Sequence, residues 1–282
     1  MAQHMKTKHK IALAKSGYHV VSALRSVIGK SDSCSVTRRG IRYELDLAQG
    51  IDFAIFMGGF EADTMAACAR YIKPGNTVLD IGANIGAITL ELAKAVGAKG
   101  RVLAFEPTKF AFDKLSRNIR LNPDLSPRIR AVQTFLGAAD DDKAPPEIHS
   151  SWPLAGGSDL HVKHLGEAKT TAGASMRRLD TILAENGIGR VDLVKLDVDG
   201  FECEVLAGAE KLFAASAPVF LIELAPYVHA ERGHSFKQFL ATFSSRGYKF
   251  FEQRSNRPLP NDPDQLEKMI GDGAGINVVA RT

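Results

Sequence analysis

The chain has few cysteines, and their scarcity excludes two kinds of scaffold. Its 282 residues include three, Cys34, Cys68 and Cys203, which are odd in number and far apart. Disulfide frameworks and structural zinc sites need paired or closely spaced cysteines, so neither is expected here. Free cysteines fit a reducing compartment, and we therefore expect a cytoplasmic protein.

Long apolar runs are also missing. The apolar run near the N-terminus is interrupted by Lys15, Gly17, His19 and Arg25, so neither a signal-peptide core nor a membrane span fits it. The body of the chain has no basic cluster with interleaved aromatic residues, and nucleic acid is therefore not an expected partner. An apolar fraction of 45% is ordinary for a globular protein, and the length fits a single enzyme domain with an extension.

Positive charge is concentrated at the N-terminus. Residues 1–40 contain eight Lys or Arg against the single acid Asp32, which leaves a negative balance for the rest of a chain whose net charge is +4. Apolar residues recur at helical spacing and predict a basic amphipathic helix within residues 6–30: Ile11, Ala14, Tyr18, Val21, Leu24 and Ile28. We expect this helix to pack its apolar stripe on the same chain, and peripheral contact with an anionic membrane is the alternative.

The most informative stretch runs from Val78 to Ala95, VLDIGANIGAITLELAKA, where a short buried strand is followed by helical spacing. Its glycines therefore mark a strand-to-helix turn. Gly82 and Gly86 carry no Cβ, which lets a bulky ligand lie against the main chain near the unpaired N–H groups that open the helix. Twenty residues past Gly86, Glu106 ends the next apolar run, and its carboxylate suits the two hydroxyls of a ribose. The pattern predicts a site for a nucleoside cofactor.

The cofactor class follows from the spacing within this turn. Dinucleotides and S-adenosyl-L-methionine are both nucleosides held by doubly wound α/β domains. The turn does not match the dinucleotide pattern G-x-G-x-x-G, because Asn84 stands where a glycine is needed and Gly86 comes early. Asp80, at the tip of the first strand, suits a cofactor with an ammonium and a sulfonium and would repel a pyrophosphate. These details favour S-adenosyl-L-methionine, and a helix-capping role for Asp80 is the alternative.

Beyond the turn, strand and helix patterns alternate, as a mostly parallel sheet requires. The predicted strands are 77–81, 101–106, 130–136, 191–197, 218–224, 247–252 and 275–281, and the predicted helices are 85–96, 108–121, 178–186, 202–214 and 234–246. The polar stretch 253–275 is too rich in proline and glycine to form one good helix, so we expect an antiparallel return of the last strand. The predicted fold class is α/β, with a seven-stranded, mostly parallel sheet and helices on both faces.

Ligands of such sheets bind at the carboxyl ends of the strands. This rule brings separate parts of the chain to one rim: Asp80, Glu106, Gly137 to Asp140, Asp197 to Gly200, and Glu223. Ala139 and Asp140 follow the third strand and are expected to meet the adenine ring and its amino group.

Several separate motifs follow one another from about Gly58 to the C-terminus. They are GGFEADT (58–64), KPGNTVLDIGANIG (73–86), GRVLAFEP (100–107), NIRLNP (118–123), RRLDTI (177–182), VDLVKLDVDGFECEVLAGA (191–209) and IELAP (222–226). Their order and spacing make the sequence resemble the FkbM-type S-adenosylmethionine-dependent methyltransferases, although at Asp199 the family more often has Glu. The resemblance implies a Rossmann-like class I methyltransferase domain over 58–282, with 1–57 as an N-terminal extension of helix and strand. It also implies methylation of a hydroxyl, commonly on a sugar, glycan or secondary metabolite.

Glu61 lies in the first of these motifs and opens an apolar helical pattern. As an acid in a first helical turn it could simply complement the helix dipole. The family resemblance points instead to the methionine end of the cofactor. The sequence leaves both readings open.

Methylation of a hydroxyl needs a group that removes its proton. The preferred candidates are Asp197, Asp199 and Glu223, with His161, His164 and His229 less favoured. The two aspartates could instead hold Mg²⁺, which would polarise the acceptor oxygen. A helix cap is the structural alternative for both.

The irregular stretch 143–174 is expected to be the loop that selects the acceptor, a small molecule or a glycan. Trp152 within it could stack on a sugar or anchor the loop in the core. Two rival functions remain at this point. A nicotinamide-dependent oxidoreductase would share the first turn and Glu106, and a non-catalytic cofactor-binding protein would share the whole fold. The sequence does not predict the oligomeric state.

Overall fold

The structure is a computed structural model that describes residues 7–156, 160–161, 165–271 and 273–282, with side chains from residue 11 onward. It opens with an N-terminal extension of two helices and an antiparallel hairpin. These elements are α1 (Thr7–Val27), β1 (Ser33–Arg38), β2 (Ile41–Asp46) and α2 (Gly50–Met57). Within the described residues, no helix is both long and apolar enough to cross a lipid bilayer.

The remainder alternates strands and helices as predicted. In chain order it consists of α3 (Ala62–Tyr71), β3 (Thr77–Ile81), α4 (Ala87–Ala95), β4 (Arg101–Phe105), α5 (Lys109–Arg120), β5 (Ile129–Val132), β6 (Thr134–Leu136), β7 (Glu147–Ser150), β8 (Glu167–Thr170), β9 (Ser175–Arg177), α6 (Leu179–Glu185), β10 (Leu193–Leu196), α7 (Glu202–Ala207), α8 (Glu210–Ser216), β11 (Val219–Leu224), α9 (Pro226–Glu231), α10 (Phe236–Ser244), β12 (Lys249–Glu252), α11 (Pro263–Ile270) and β13 (Ile276–Arg281).

The main sheet has seven strands in the order β12-β13-β11-β10-β3-β4-β5. Strand β13 is antiparallel to both of its neighbours, while the other pairs within the sheet are parallel. The predicted fold class is therefore confirmed, including the antiparallel return. From the central strand β3 the chain proceeds outward through β4 and β5, and it later returns to the other side of β3 as β10. This reversal opens a crevice at the carboxyl ends of β3, β4 and β10, where ligands of such sheets bind.

Two predicted elements are divided in the structure. The strand predicted over 130–136 breaks at Gln133, and its second half, β6, pairs with β9 in a separate small sheet. The helix predicted over 202–214 breaks at Gly208, where a Cβ would lie 2.2 Å from the carbonyl oxygen of Gly137. Asp180 then caps α8, accepting hydrogen bonds from the backbone N–H groups of Lys211 and Leu212.

Two stretches that looked irregular contain regular structure. Within 143–174, β7 and β8 form an antiparallel hairpin. Within 253–275, the side chain of Asp262 caps the two-turn helix α11 by accepting a 2.8 Å hydrogen bond from the N–H of Gln265, and Pro263 occupies the first turn. A helix thus forms despite the proline content of that stretch, because Asp262 caps it and Pro263 lies where a helix tolerates proline.

Two asparagines of the NIRLNP motif join α5 to the N-terminal hairpin. The side chain of Asn122 accepts from the N–H of Arg42 and donates to its carbonyl, as a neighbouring strand would do. Asn118 accepts from the N–H of Glu44 and donates to the carbonyl of Ile85. The extension also shares one buried apolar cluster with α4 and with the loop after β7, and this cluster includes Tyr43, Leu90 and Leu154.

The N-terminal helix packs only part of its predicted apolar stripe. Tyr18 is buried, and its hydroxyl donates a 2.7 Å hydrogen bond to Asp32. The side chains of Leu24 and Ile28, however, are each 65% exposed. The expectation that the whole stripe packs on the chain is therefore wrong for Leu24 and Ile28, which lie outside the cluster that buries Tyr18.

Candidate functional site

The glycine turn after β3 lies at the floor of the crevice, in left-handed backbone conformation at Gly82, Asn84 and Gly86. A Cβ on Gly82 would lie 1.8 Å from the carbonyl oxygen of Asp197, and a Cβ on Gly86 would lie 2.6 Å from the side chain of Leu115. Sequence reasoning ascribed both glycines to close approach of a ligand. In the structure the protein's own chain approaches both glycines, and this tight packing sets the position of the turn. Gly82 and Asn84 also line a cavity in the crevice, so contact of the turn with a ligand stays a prediction.

Glu106 follows β4 and faces the same crevice. One carboxylate oxygen accepts a 2.9 Å hydrogen bond from the N–H of Asn84, and the other accepts from both the N–H and the hydroxyl of Thr108, at 3.0 and 2.5 Å. Burial raises the pKa of Glu106, while these three donors oppose that shift. The carboxylate is thus held rigidly, and a carboxylate can still accept further hydrogen bonds.

A first cavity of about 130 Å³ extends from this turn along the crevice. Apolar side chains line the part of it beside Glu106, which we call the apolar slot, and the rings of Phe135 and Phe201 meet there edge to face at 4.8 Å. The slot is lined by Phe105, Pro107, Phe135, Leu136, Val198 and Phe201. A planar, apolar group such as a nucleobase fits such surroundings.

Lys195, in the middle of β10, is a central residue of the site that sequence reasoning missed. Its ammonium is buried, donates a 2.9 Å hydrogen bond to the carbonyl oxygen of Gly82, and lies 3.2 Å from a carboxylate oxygen of Asp197 and 3.7 Å from one of Asp80. Burial alone would lower the pKa of Lys195, but the two carboxylates raise it, so the ammonium stays charged. A lysine inside the apolar strand LVKL was the available signal, because lysine is almost never buried unless it is paired.

Asp80 lies behind this lysine and is fully buried. One carboxylate oxygen accepts a 2.6 Å hydrogen bond from the hydroxyl of Thr89, and the other faces the ammonium of Lys195. Burial raises the pKa of Asp80, and Lys195 opposes the shift. The ammonium expected beside Asp80 is thus that of a lysine of the same chain, and Asp80 is not among the residues that line the cavity.

A second cavity of about 380 Å³ abuts the first. Asp197, Asp199 and Glu223 all face it, so the structure brings together the three carboxylates predicted for catalysis. Burial and the negative charges of Asp197, Glu223 and Glu202 raise the pKa of Asp199 well above its ordinary value. The side chain of Asp197 is 46% exposed and paired with Lys195.

Seven residues line both cavities and thus form the wall between them: Ile51, Phe60, Glu61, Trp152, Lys195, Asp197 and Asp199. Glu61 stands in left-handed conformation just before α3 and accepts a hydrogen bond from the hydroxyl of Thr64. Trp152 is partly buried against the extension, and its carbonyl accepts a 2.7 Å hydrogen bond from the N–H of Gly50. Trp152 therefore anchors the loop and faces the cavities at the same time.

Other predicted residues lie away from the cavities. Asp140 accepts hydrogen bonds from Arg177, the N–H of Arg178 and the hydroxyl of Thr181, and neither it nor Ala139 is among the cavity-lining residues. His161 lies 3.4 Å from Glu231. Asp140, which was predicted to meet adenine, thus joins the segment after β6 to β9 and α6.

His229 is fully buried and stacks on Phe239 at 4.4 Å between ring centroids, outside both cavities. Burial lowers its pKa to about 4. Its ring nitrogens have no hydrogen-bond partner among the described residues. His164 lies outside the described residues.

Glu202 supports the turn that carries Asp197 and Asp199. One of its carboxylate oxygens accepts from the N–H groups of Val198 and Gly200, at 3.2 and 3.4 Å. Its other oxygen lies 3.9 Å from His229. Burial raises the pKa of Glu202 to about 7.

In the described ranges, no group of three or more His, Cys, Asp or Glu side chains is arranged to hold a metal ion. The charge beside Asp197 is provided by Lys195. The geometry therefore does not support the Mg²⁺ alternative for Asp197 and Asp199.

The family comparison agrees with this geometry. A family model for the methyltransferase FkbM domain matches residues 80–250. The chain belongs to the FkbM methyltransferase family. The resemblance inferred from the motifs is thereby confirmed, and the matched range includes the glycine turn, Glu106, Asp197 and Asp199. Members of this family use S-adenosyl-L-methionine as methyl donor.

Curated relatives are about 30% identical to this chain over the aligned residues. Methyltransferase sdnD of Sordaria araneosa is 30% identical over 48% of the chain and 60% of its own length. The 31-O-demethyl-FK506 methyltransferase FkbM of Streptomyces tacrolimicus is 30% identical over 49% of the chain and 61% of its length. The 2-O-methyltransferase NoeI of Sinorhizobium fredii is 28% identical over 49% and 59%. The chain thus spans about three fifths of the length of these relatives.

Proposed function

We propose that the protein is an S-adenosyl-L-methionine-dependent O-methyltransferase whose acceptor is a hydroxyl group of a small molecule or glycan. The observation that carries the proposal is the acidic wall shared by two adjoining cavities. A donor in one cavity and an acceptor in the other meet beside this wall, where the two cavities adjoin, as an in-line methyl transfer requires. Two relatives are named as O-methyltransferases, which supports oxygen as the accepting atom.

The first cavity suits the parts of the methyl donor. The apolar slot takes the adenine ring, Glu106 accepts hydrogen bonds from the ribose hydroxyls, and Glu61 and Asp197 face the cationic methionine end. When bound, this cofactor supplies an electrophilic methyl group on a sulfonium. Because Glu106 is already fixed by Asn84 and Thr108, it needs little reorganisation to bind.

Asp199 is the proposed general base. Its raised pKa makes it a better proton acceptor for a hydroxyl than an ordinary carboxylate, because base catalysis improves as the pKa of the base approaches the working pH. Asp197, which is paired with Lys195, complements the positive charge of the donor. Glu223 bounds the far side of the acceptor cavity, opposite Asn277 on the neighbouring strand.

The cofactor site is tested by Glu106→Gln. Removing the negative charge from a fixed hydrogen-bond acceptor should weaken binding of S-adenosyl-L-methionine by about tenfold to a hundredfold in isothermal titration calorimetry. Glu267→Gln, at an exposed position on α11, is the matched control and should bind like the wild type. Equal affinities for the two variants would contradict the assignment. Binding of a nicotinamide dinucleotide in place of the methyl donor would favour the oxidoreductase alternative.

The base is tested by Asp199→Asn. This variant should keep its affinity for the donor within about threefold but lose at least about a hundredfold in turnover, which is the usual contribution of a general base. Turnover is followed as release of S-adenosylhomocysteine with a panel of hydroxylated acceptors. Asp197→Asn should weaken donor binding as well as turnover, because Asp197 faces the cationic methionine end of the donor. Unchanged turnover in Asp199→Asn would refute its role, and a wild-type protein that binds donor but methylates no acceptor would indicate a non-catalytic binding protein.

A further inference from the structure

The outer face of α1 carries a row of exposed apolar side chains. Leu13, Val20, Leu24 and Val27 are 68%, 61%, 65% and 86% exposed. At about 100° per residue these four positions fall within an arc of about 60° on the helix surface. We call these four residues the α1 stripe. Large apolar side chains grouped on one exposed helix face mark an interaction surface.

The α1 stripe is not needed to hold the helix in place. The opposite face does so, with Tyr18 buried in the core cluster and Ala14 and Val21 packed against it. Ser22 and Tyr18 both donate hydrogen bonds to Asp32 behind the helix. The exposed apolar area is therefore available to another molecule.

Charge indicates the nature of that molecule. The sequence contains no acid before Asp32, but up to that point it has six basic residues: Lys6, Lys8, Lys10, Lys15, Arg25 and Lys30. The first acid, Asp32, is engaged by Tyr18 and Ser22. An apolar stripe in a segment that is purely basic is complementary to the surface of an anionic lipid bilayer, where apolar side chains enter the acyl boundary and cations meet the headgroups.

The same helix forms part of the acceptor cavity. Ile11 and Ala14 line this cavity together with Ala54 of α2, whereas Glu223, Gln253 and Asn277 give its other end polar groups. The cavity thus has a polar, acidic part near the catalytic wall and an apolar part beneath α1. An acceptor with a hydroxylated head and an apolar tail is complementary to both parts.

We propose that α1 docks the enzyme on an anionic lipid surface through the α1 stripe, and that the acceptor is an amphiphile whose hydroxylated head reaches Asp199 while its apolar tail lies along Ile11 and Ala14. The proposal rests on the proposed function for the identity of the acceptor cavity. The docking surface does not depend on the proposed function, because it is argued from the exposure of the α1 stripe and the positive charge of its segment.

Docking is tested by co-sedimentation with lipid vesicles at low salt. The wild type should bind phosphatidylcholine vesicles containing 30% phosphatidylglycerol, as a probe of anionic surface, at least about tenfold more tightly than pure phosphatidylcholine vesicles, with loss of binding in high salt. The double variant Leu24→Asp/Val27→Asp should lose this binding at least about tenfold. Because both side chains are exposed, its thermal unfolding and its affinity for S-adenosyl-L-methionine should match those of the wild type. Met269→Asp, at a 49% exposed apolar residue on α11, is the control and should bind vesicles like the wild type.

Three outcomes would overturn the docking proposal: equal binding to both kinds of vesicle, unchanged vesicle binding by the double variant, or a wild-type dimer that this variant converts to a monomer without any vesicle binding. The last would assign the α1 stripe to a second copy of the chain. Failure of the proposed function is separate from these, because it would appear as no binding of S-adenosyl-L-methionine in a protein that still binds vesicles.

The acceptor class is tested through Trp152, the only tryptophan of the chain, which lines the cavity. Octyl glucoside below its micellar concentration should shift the emission of Trp152 saturably, and glucose at the same concentration should not. Ala14→Phe, which fills the apolar part, should raise the apparent dissociation constant at least about tenfold, whereas Leu24→Asp/Val27→Asp should leave it unchanged. An equal response to glucose and octyl glucoside, or no effect of Ala14→Phe, would contradict an amphiphilic acceptor.

Discussion

Lys195 connects the structural and the chemical parts of the site at the scale of a single residue. Its ammonium neutralises the buried Asp80, faces Asp197 at the cavity and holds the carbonyl of Gly82 in the cofactor turn. A buried carboxylate whose charged partner is removed becomes strongly destabilising. The fold therefore depends on the same ammonium that pairs with Asp197 at the cavity.

Lys195→Met should lower the free energy of unfolding by about 3–5 kcal/mol, because it leaves Asp80 buried without a cation. The double variant Lys195→Met/Asp80→Asn, which removes both charges, should recover a large part of that loss. Chemical denaturation at neutral pH measures both effects. A single variant as stable as the wild type would show that Asp80 is neutral in the folded protein.

Gly82 allows a test of close packing with a matched control. Gly82 and Gly58 have nearly the same backbone angle, φ of 80° and 81°, but a Cβ at Gly58 meets nothing within 4 Å. Gly58→Ala should therefore cost only the left-handed strain of about 1–2 kcal/mol. Gly82→Ala should cost more than twice as much and also abolish cofactor binding, since its Cβ would collide with the carbonyl of Asp197. Equal thermal unfolding of the two variants would contradict this explanation.

At the scale of elements, the turn between β10 and α7 is held from behind by α9. Glu202 accepts hydrogen bonds from the turn, and His229 of α9 lies beside it. With a pKa of about 7 for Glu202 and about 4 for His229, both groups are neutral between these values. Packing of α9 on α10 through His229 and Phe239 thus requires a neutral imidazole.

This requirement predicts a loss of stability in acid. Because the pKa of His229 is lowered from about 6.5 to about 4 on folding, the unfolded chain binds the proton more readily, and stability falls as the pH drops through that window, by up to about 3 kcal/mol. His229→Leu should lose less stability than the wild type between pH 6.5 and 4.5 in urea unfolding. His19→Asn, at an exposed histidine of α1, should keep the wild-type dependence. Parallel pH profiles for wild type and His229→Leu would refute the prediction.

At the scale of the whole molecule, a buried ion pair ties the N-terminal extension to the main sheet. Asp52 of α2 accepts a hydrogen bond from the ammonium of Lys114 on α5, and both side chains are nearly inaccessible, at 1% and 7% exposure. The carboxylate of Asp52 also accepts a hydrogen bond from the N–H of Asp46 at the end of β2. Because α2 also supplies part of both cavities, docking of the extension is a condition for forming the site.

Lys114→Met should therefore destabilise the protein by about 3–5 kcal/mol and weaken cofactor binding as the extension loosens. The same helix carries an exposed pair, Lys109 and Asp113, with side chains 57% and 48% exposed. Lys109→Met should change the unfolding free energy by less than about 1 kcal/mol, as expected for a surface ion pair. Similar losses of unfolding free energy in the two variants would show that burial of the Asp52–Lys114 pair does not contribute to stability.

The main sheet was predictable because its strands are buried apolar runs bounded by turn residues, and such runs are read directly from local sequence. Strand β3, its glycine turn and Glu106 were found in this way. The pairing of β6 with β9 was not, because it depends on contact between segments about forty residues apart in the chain. Lys195 was missed for a related reason, since the apolar run around it predicts a buried strand but says nothing about which acids reach its ammonium.

By itself, the sequence determined the order of strands and helices, the family and the carboxylates at the strand ends, since these follow from local periodicity and from motifs that lie at fixed spacing. Only the tertiary structure decided that Asp140 holds α6 in place while Lys195 and Trp152 stand between two cavities. It also decided that the N-terminal helix lines one of these cavities and leaves an apolar stripe exposed. Burial and charge pairing depend on which distant surfaces meet, and that is a property of the packed chain.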